Sequence, residues 1–171
     1  MRLFIAINLK EATRNALASL QKGLRQNATR GYFSDPENLH LTLAFLGECD
    51  PAEGSAVRTV LSALRFASFP LEINRLGRFR REGGEIWWAG IAESEPLHTL
   101  WRDLTKELRT AGFHLEARKF TPHITLAREV VTTEKERTVP PFGETVTQIE
   151  LMKSERIEGK LTYTAIASIH R

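Results

Sequence analysis

The chain is 171 residues long with a mass of 19.4 kDa, which suits one domain. Hydrophobic residues make up 42% and charged residues 26%, a globular balance that excludes disordered, collagen-like and coiled-coil proteins. Cys49 is the only cysteine, which excludes an intrachain disulfide scaffold, and a net charge of +3 permits an anionic partner without requiring one.

Strand-like and helix-like segments alternate along the chain. Residues 1–9 (MRLFIAINL) carry apolar side chains on both parities, as a strand covered on both faces does. Lys10 and Glu11 follow at once and no small-residue cleavage site appears, so this run reads as a strand rather than a signal peptide. Residues 10–25 place Leu17, Leu20 and Leu24 at helical spacing. Gly31, Ser34, Asp35 and Pro36 mark a loop. Residues 39–47 read as a strand with Leu41, Leu43 and Phe45 on one face. A second helix follows Pro51 and carries Val57, Val60, Leu61 and Leu64.

Phe69, Leu71 and Ile73 alternate as a strand. Residues 75–84 are rich in Arg and Gly, and residues 85–91 return as a buried strand, so the two read as a hairpin. Leu97, Leu100, Trp101, Leu104, Leu108 and Ala111 form the stripe of a third helix, with Gly112 placed to end it. Residues 120–128 read as a strand and residues 139–143 (VPPFG) as a loop. Residues 145–152 and 161–169 are two more strands, joined around residues 158–160. The pattern predicts an α+β protein with helices on the outer faces of largely antiparallel sheet. No apolar run approaches the roughly 20 residues of a membrane span, and the lack of a disulfide framework points to the cytoplasm.

One short pattern occurs twice. His40-Leu41-Thr42-Leu43-Ala44-Phe45 is echoed by His123-Ile124-Thr125-Leu126-Ala127-Arg128, 83 residues later. Residues i and i+2 of a strand point the same way, so His40 shares a face with Thr42, and His123 with Thr125. The aliphatic residues between them face the other way and can pack under a helix. Two such strands related by approximate two-fold symmetry would bring two imidazoles and two hydroxyls to one place. Imidazole titrates near neutrality, so one ring can act as base while the other acts as acid. Threonine hydroxyls can donate to the nonbridging oxygens of a phosphate. A single H-x-T is common in strands and most such histidines are structural, so the duplication is what carries the argument. Each copy offers one His and Thr is a poor ligand, which argues against zinc.

The paired H-x-T-x signatures resemble those of the 2H phosphoesterase superfamily. The fuller forms, HLTLAFLG at 40–47 and FTPHITLAR at 120–128, together with RLFIAI at 2–7, are similar to the RNA 2′,3′-cyclic phosphodiesterase branch, formerly named 2′-5′ RNA ligase. The resemblance spans almost the whole chain. It implies a two-lobed, LigT-like α+β fold, one domain over residues 1–171, with pseudo-two-fold antiparallel sheets flanked by helices around a central cleft. It implies cofactor-free, metal-independent hydrolysis of a 2′,3′-cyclic phosphate at an RNA end to a 2′-phosphomonoester, with ligation of tRNA halves through a 2′-5′ linkage as a secondary, reverse-type reaction. By matching motif positions, His40 is implied as the proton donor to the leaving 3′ oxygen and His123 as the base that activates water. Thr42 and Thr125 are implied to bind phosphate oxygens, and Arg128 to contact the substrate. Strict alternation puts Arg128 with Ile124 and Leu126, away from His123, unless a bulge re-aims it. The matching position in the first copy is Phe45, so the two halves of the site are not equivalent.

Further candidates lie outside the motifs. Lys119, next to Arg118 just before the second copy, is placed to reach a phosphate. Arg75, Arg78, Arg80 and Arg81 put four guanidinium groups in seven residues, suited to RNA phosphates or to a solvated hairpin tip. Trp87 and Trp88 point to opposite faces of one strand, with packing the expected role of both, and Tyr32 with Phe33 is a candidate base-stacking wall. His98, His114 and His170 read as ordinary surface histidines, and Cys49 as a small, partly buried residue without an activating neighbour. The competing readings are a nucleotide or RNA-end binding module of the same fold, and an enzyme for small cyclic nucleotides or RNA ligation. The expected state is a monomer without a membrane partner.

Overall fold

The computed structural model describes residues 1–170 as two antiparallel sheets with three helices. The elements in chain order are β1 (Arg2–Asn8), α1 (Glu11–Gln26), β2 (Ala28–Phe33), a 3-10 turn at Pro36–Asn38, β3 (His40–Glu48) and α2 (Pro51–Ala63). They continue with β4 (Phe69–Phe79), β5 (Glu85–Ile91), α3 (Glu95–Thr110), β6 (His123–Thr132), β7 (Arg137–Val146), β8 (Gln148–Ile157) and β9 (Lys160–His170). One sheet has the order β3-β1-β8-β9 and the other β2-β6-β5-β4-β7.

The two orders correspond. Each motif strand, β3 or β6, lies beside the strand that precedes it across a helix: β1-α1-β3 in one sheet and β5-α3-β6 in the other. The lobes are not halves of the chain, however. The C-terminal hairpin β8-β9 completes the N-terminal sheet, and β2 crosses over to extend the second. The motif strands β3 and β6 meet where the sheets abut.

The helices follow their sequence signals. Asp50 caps α2 with a reciprocal box: its Oδ1 accepts from the Glu53 N–H at 2.7 Å and Glu53 Oε1 accepts from the Asp50 N–H at 3.0 Å. At the end of α3, Gly112 adopts φ +99°, and the N–H groups of Gly112 and Phe113 donate to the carbonyls of Arg109 and Leu108. That is a Schellman ending, which needs a left-handed residue and so favours glycine. The apolar stripes of all three helices and the inner faces of both sheets merge into one core that includes Ile5, Leu17, Leu41, Leu61, Trp87, Leu104, Leu126 and Leu151. On the opposite face of the first sheet, Phe4, Ala6 and Met152 form a small separate cluster against Tyr163.

Several sequence expectations change. Residues 28–33, expected as part of a loop, form the edge strand β2. The Arg-rich segment is not a hairpin tip throughout, because β4 continues to Phe79 with Arg75 and Arg78 paired to Gly90 and Trp87. Residues 139–143, expected as a loop, lie within β7. That strand is the outer edge of its sheet, and Pro140 and Pro141 fall in the register shift between the Phe142–Ile73 and Thr138–Arg75 pairs, where they have no ladder partner. The strand expected over 145–152 is really two, since the chain leaves one sheet after Val146 and enters the other at Gln148. The strand expected from residue 120 starts at His123, and Phe120 instead stacks on Trp101 of α3 at 4.9 Å.

Candidate active site

Both motif strands contain a bulge at the same motif position. Ile5 and Ala6 of β1 pair with Ala44 and Thr42, leaving Leu43 as the extra residue. Trp87 and Trp88 of β5 pair with Ala127 and Thr125, leaving Leu126 as the extra residue. The outcome is two consecutive core-facing residues, Leu43-Ala44 and Leu126-Ala127, followed by an inverted parity. Phe45 therefore does not join Leu41 and Leu43 in the core. It is 62% exposed and lies 6.3 Å from the Phe4 ring, on the His40 side. The same inversion brings Arg128 to the face of His123 and Thr125, where its charge acts on both imidazoles. Arg128 has no acidic partner among the described residues.

The second bulge is pinned from α1. The Leu126 carbonyl accepts from Gln21 Nε2 at 3.0 Å and from the Ser34 N–H at 3.0 Å. Gln21 is buried, and its amide also donates to the Ser34 carbonyl at 2.8 Å. Sequence reasoning passed over this residue. Its signal was a polar side chain at i+4 from Leu17 on an otherwise apolar stripe, which demands a buried partner.

The two histidines are anchored alike. His40 Nδ1 lies 2.7 Å from the Asn38 carbonyl oxygen, and His123 Nδ1 lies 2.6 Å from that of Thr121. A carbonyl oxygen only accepts, so each Nδ1 carries a proton and each Nε2 is the ring nitrogen left for chemistry. In the neutral ring, His40 Nε2 accepts from the Thr42 hydroxyl at 2.8 Å. Burial is the main cause that lowers the pKa of both imidazoles below the usual histidine value, and the Arg128 guanidinium adds to it. The carbonyl bonds oppose the shift, and a further positive charge disfavours each imidazolium: that of His123, when protonated, at His40, and that of Arg118 at His123.

Aromatic rings from outside the motifs hold each imidazole. His40 has Phe4 at 4.9 Å and Tyr163 edge-on at 5.3 Å. His123 has Phe79 edge-on at 5.1 Å and Trp88 at 6.1 Å. Tyr163 was legible only as an alternating strand residue, because nothing local marks which strand will lie beside the first motif.

The remaining candidates separate. Lys119 is exposed in the segment before β6, and beside it Arg118 pairs with Glu116 at 2.8 Å. Arg78 lies on the core side, held by Glu85 at 3.3 Å and Glu136 at 3.6 Å. Arg75 spans Gly90 on the motif face and donates to the Ile91 carbonyl at 2.9 Å. Trp87 is wholly buried in the core, whereas Trp88 lies on the motif face against Gly77. Tyr32, 68% exposed, pairs across the ladder with Arg128, while Phe33 packs under Arg25. His98 is half-buried against Phe120, and His114 and His170 are exposed. The Cys49 thiol is buried, and burial pushes its pKa up, away from the reactive thiolate. Among the described residues, no group of three His, Cys, Asp or Glu is placed to hold a metal ion, and no helix is long and apolar enough to cross a membrane.

Known proteins resemble this chain in sequence and in fold. The pattern of the 2′-5′ RNA ligase superfamily matches residues 9–158. An RNA 2′,3′-cyclic phosphodiesterase of Escherichia coli is 30% identical over 171 residues, covering 96% of this chain and 93% of that protein. One from Thermus thermophilus is 35% identical, covering 84% and 75%. The crystal structure of E. coli LigT complexed with 3′-AMP superimposes with a TM-score of 0.85 at 27% identity, covering 99% of this chain and 97% of that one. A crystal structure of a Thermus thermophilus protein gives a TM-score of 0.81 at 29% identity, covering 99% of this chain and 97% of that one. The chain belongs to the 2′-5′ RNA ligase superfamily, among the RNA 2′,3′-cyclic phosphodiesterases.

Proposed function

We propose that this protein, working as one domain over residues 1–171, hydrolyses 2′,3′-cyclic phosphate ends of RNA to 2′-phosphomonoesters, without a metal ion. The observation that carries the reading is the pair of imidazoles, each tied through Nδ1 to a backbone carbonyl and both under the charge of Arg128. His123, neutral with Nδ1 protonated, takes a proton from water at Nε2. The hydroxide attacks phosphorus in line with the 3′ oxygen. As the P–O3′ bond breaks, His40 as imidazolium gives its Nε2 proton to that oxygen, and the phosphate stays on the 2′ oxygen. The bound phosphate anion favours this imidazolium, offsetting the burial that disfavours it in the free protein. Thr42 and Thr125 donate to nonbridging oxygens, and Arg128 balances the charge that develops there. Lys119 supplies a further cation at the approach to the second motif.

With a 5′-hydroxyl in place of water, the same groups form the new P–O5′ bond as the P–O3′ bond breaks, which leaves the 2′-5′ linkage that ligation of tRNA halves requires. Incubation with a 2′,3′-cyclic-phosphate oligonucleotide in EDTA tests the reading. The expected product keeps its phosphate on the 2′ oxygen. A 3′-phosphate product, or no product until a divalent ion is added, overturns it.

A further inference from the structure

The motif face carries a second set of polar side chains that the reaction above does not use. Arg2 of β1 pairs across the ladder with Ser154 of β8, and Ser154 pairs with Tyr163 of β9. Residues paired across antiparallel strands share a face, so the three form one row. The row lies on the side of the histidine. Phe4 shares its parity with Arg2, and Phe4 and Tyr163 both contact the His40 ring.

Arg2 is exposed, and Ser154 and Tyr163 are half-buried. Among the described residues, neither the Arg2 guanidinium nor the Ser154 and Tyr163 hydroxyls have a hydrogen-bond or ion-pair partner. Glu48, the other ladder partner of Arg2, faces the N-terminal ammonium at 3.5 Å. A free guanidinium at one end of a row that also presents two free hydroxyls matches the oxygens of a phosphate diester. The guanidinium groups of both Arg2 and Arg128 act on the Tyr163 phenol, so the positive field of the two-histidine site continues into this row. Burial raises the phenol's pKa, which keeps it a neutral donor.

We propose that Arg2, Ser154 and Tyr163 bind the backbone phosphate preceding the terminal nucleoside, so that the protein selects RNA ends over cyclic mononucleotides. The Tyr163 ring stands 5.3 Å from the His40 ring, which places its hydroxyl within a nucleotide's reach of the reacting phosphate. This inference rests on the cyclic phosphodiesterase reading.

The test compares kcat/KM for a dinucleotide and a mononucleotide 2′,3′-cyclic phosphate in wild type, Arg2→Gln, Ser154→Ala and, as a control, Arg58→Gln on the exposed face of α2. Wild type is expected to favour the dinucleotide. That ratio is expected to fall about tenfold in Arg2→Gln, about threefold in Ser154→Ala, and not at all in Arg58→Gln. The salt dependence of dinucleotide turnover should also become shallower in Arg2→Gln, because one phosphate contact is gone. A wild type that turns over both substrates, with a ratio unmoved by Arg2→Gln, overturns this subsite alone. Turnover of neither substrate overturns the cyclic phosphodiesterase reading, and the subsite with it.

Discussion

Gly77 offers a sharp test of how the sheet shapes the site. The Trp88 indole lies flat on Gly77, and a Cβ there would stand 2.2 Å from Cη2, 2.5 Å from Cζ2 and 2.6 Å from Cζ3. Ordinary contact begins at 3.4 Å, so Gly77→Ala forces the ring to move by about 1.2 Å in a close-packed setting. The ring has little freedom, with Phe79 at 5.3 Å and His123 at 6.1 Å. Overpacking of this kind costs about 1–3 kcal/mol. For a chain of this size each kcal/mol lowers Tm by roughly 2–4 °C. Displacement of the wall beside a reacting group by about 1 Å can cost up to ~10²-fold in rate. Thermal unfolding and kcat/KM on a cyclic-phosphate oligonucleotide should therefore fall together. Trp88→Leu removes the clashing atoms, so adding Gly77→Ala in that background should cost almost nothing further, giving a coupling of about 1 kcal/mol or more. Equal losses in both backgrounds would refute the steric argument.

Two further outcomes follow from the electrostatics. Both His40 and His123 have folded-state pKa values below the unfolded one, so the unfolded chain binds protons first as pH drops through about 6.5. Stability should be lost over that fall. The His40→Asn/His123→Asn protein should lose less between pH 7 and pH 5 in denaturant titrations, and an identical loss would contradict the assignment. Arg128 lowers both imidazoles, so Arg128→Gln should move the pH profile of kcat/KM to higher pH while reducing its height. A profile that keeps its position would place Arg128 outside the site.

The faces of the two motif strands were more legible in the sequence than the edges of the sheets were. His40, Thr42, His123 and Thr125 could be read because alternation within a short strand fixes a face without any tertiary knowledge. Arg128 and Phe45 mark where that rule ends: a bulge at Leu43 or Leu126 inverts parity, and the inversion is visible only in the pairing with β1 and β5. The helices were legible through caps and stripes, down to Gly112 at the end of α3. β7 was hidden because Pro140 and Pro141 signal a loop unless the strand is known to be an edge. The four clustered arginines parted because β4 continues to Phe79, sending Arg75 and Arg78 to opposite faces and leaving Arg80 and Arg81 beyond its end. Tyr163 and Gln21 act over long sequence distances, on His40 and on the Leu126 carbonyl; the helix stripe marks Gln21 as needing a buried partner, but no local pattern says which partner either residue meets.

The central claim is that two carbonyl-anchored imidazoles share the acid and base work on one phosphate. Single-turnover hydrolysis of a 2′,3′-cyclic-phosphate oligonucleotide by His40→Ala and by His123→Ala tests it most directly. Each protein should fold as wild type does, bind the oligonucleotide, and lose about 10²–10⁴-fold in rate. Wild-type rates in either variant would contradict the claim.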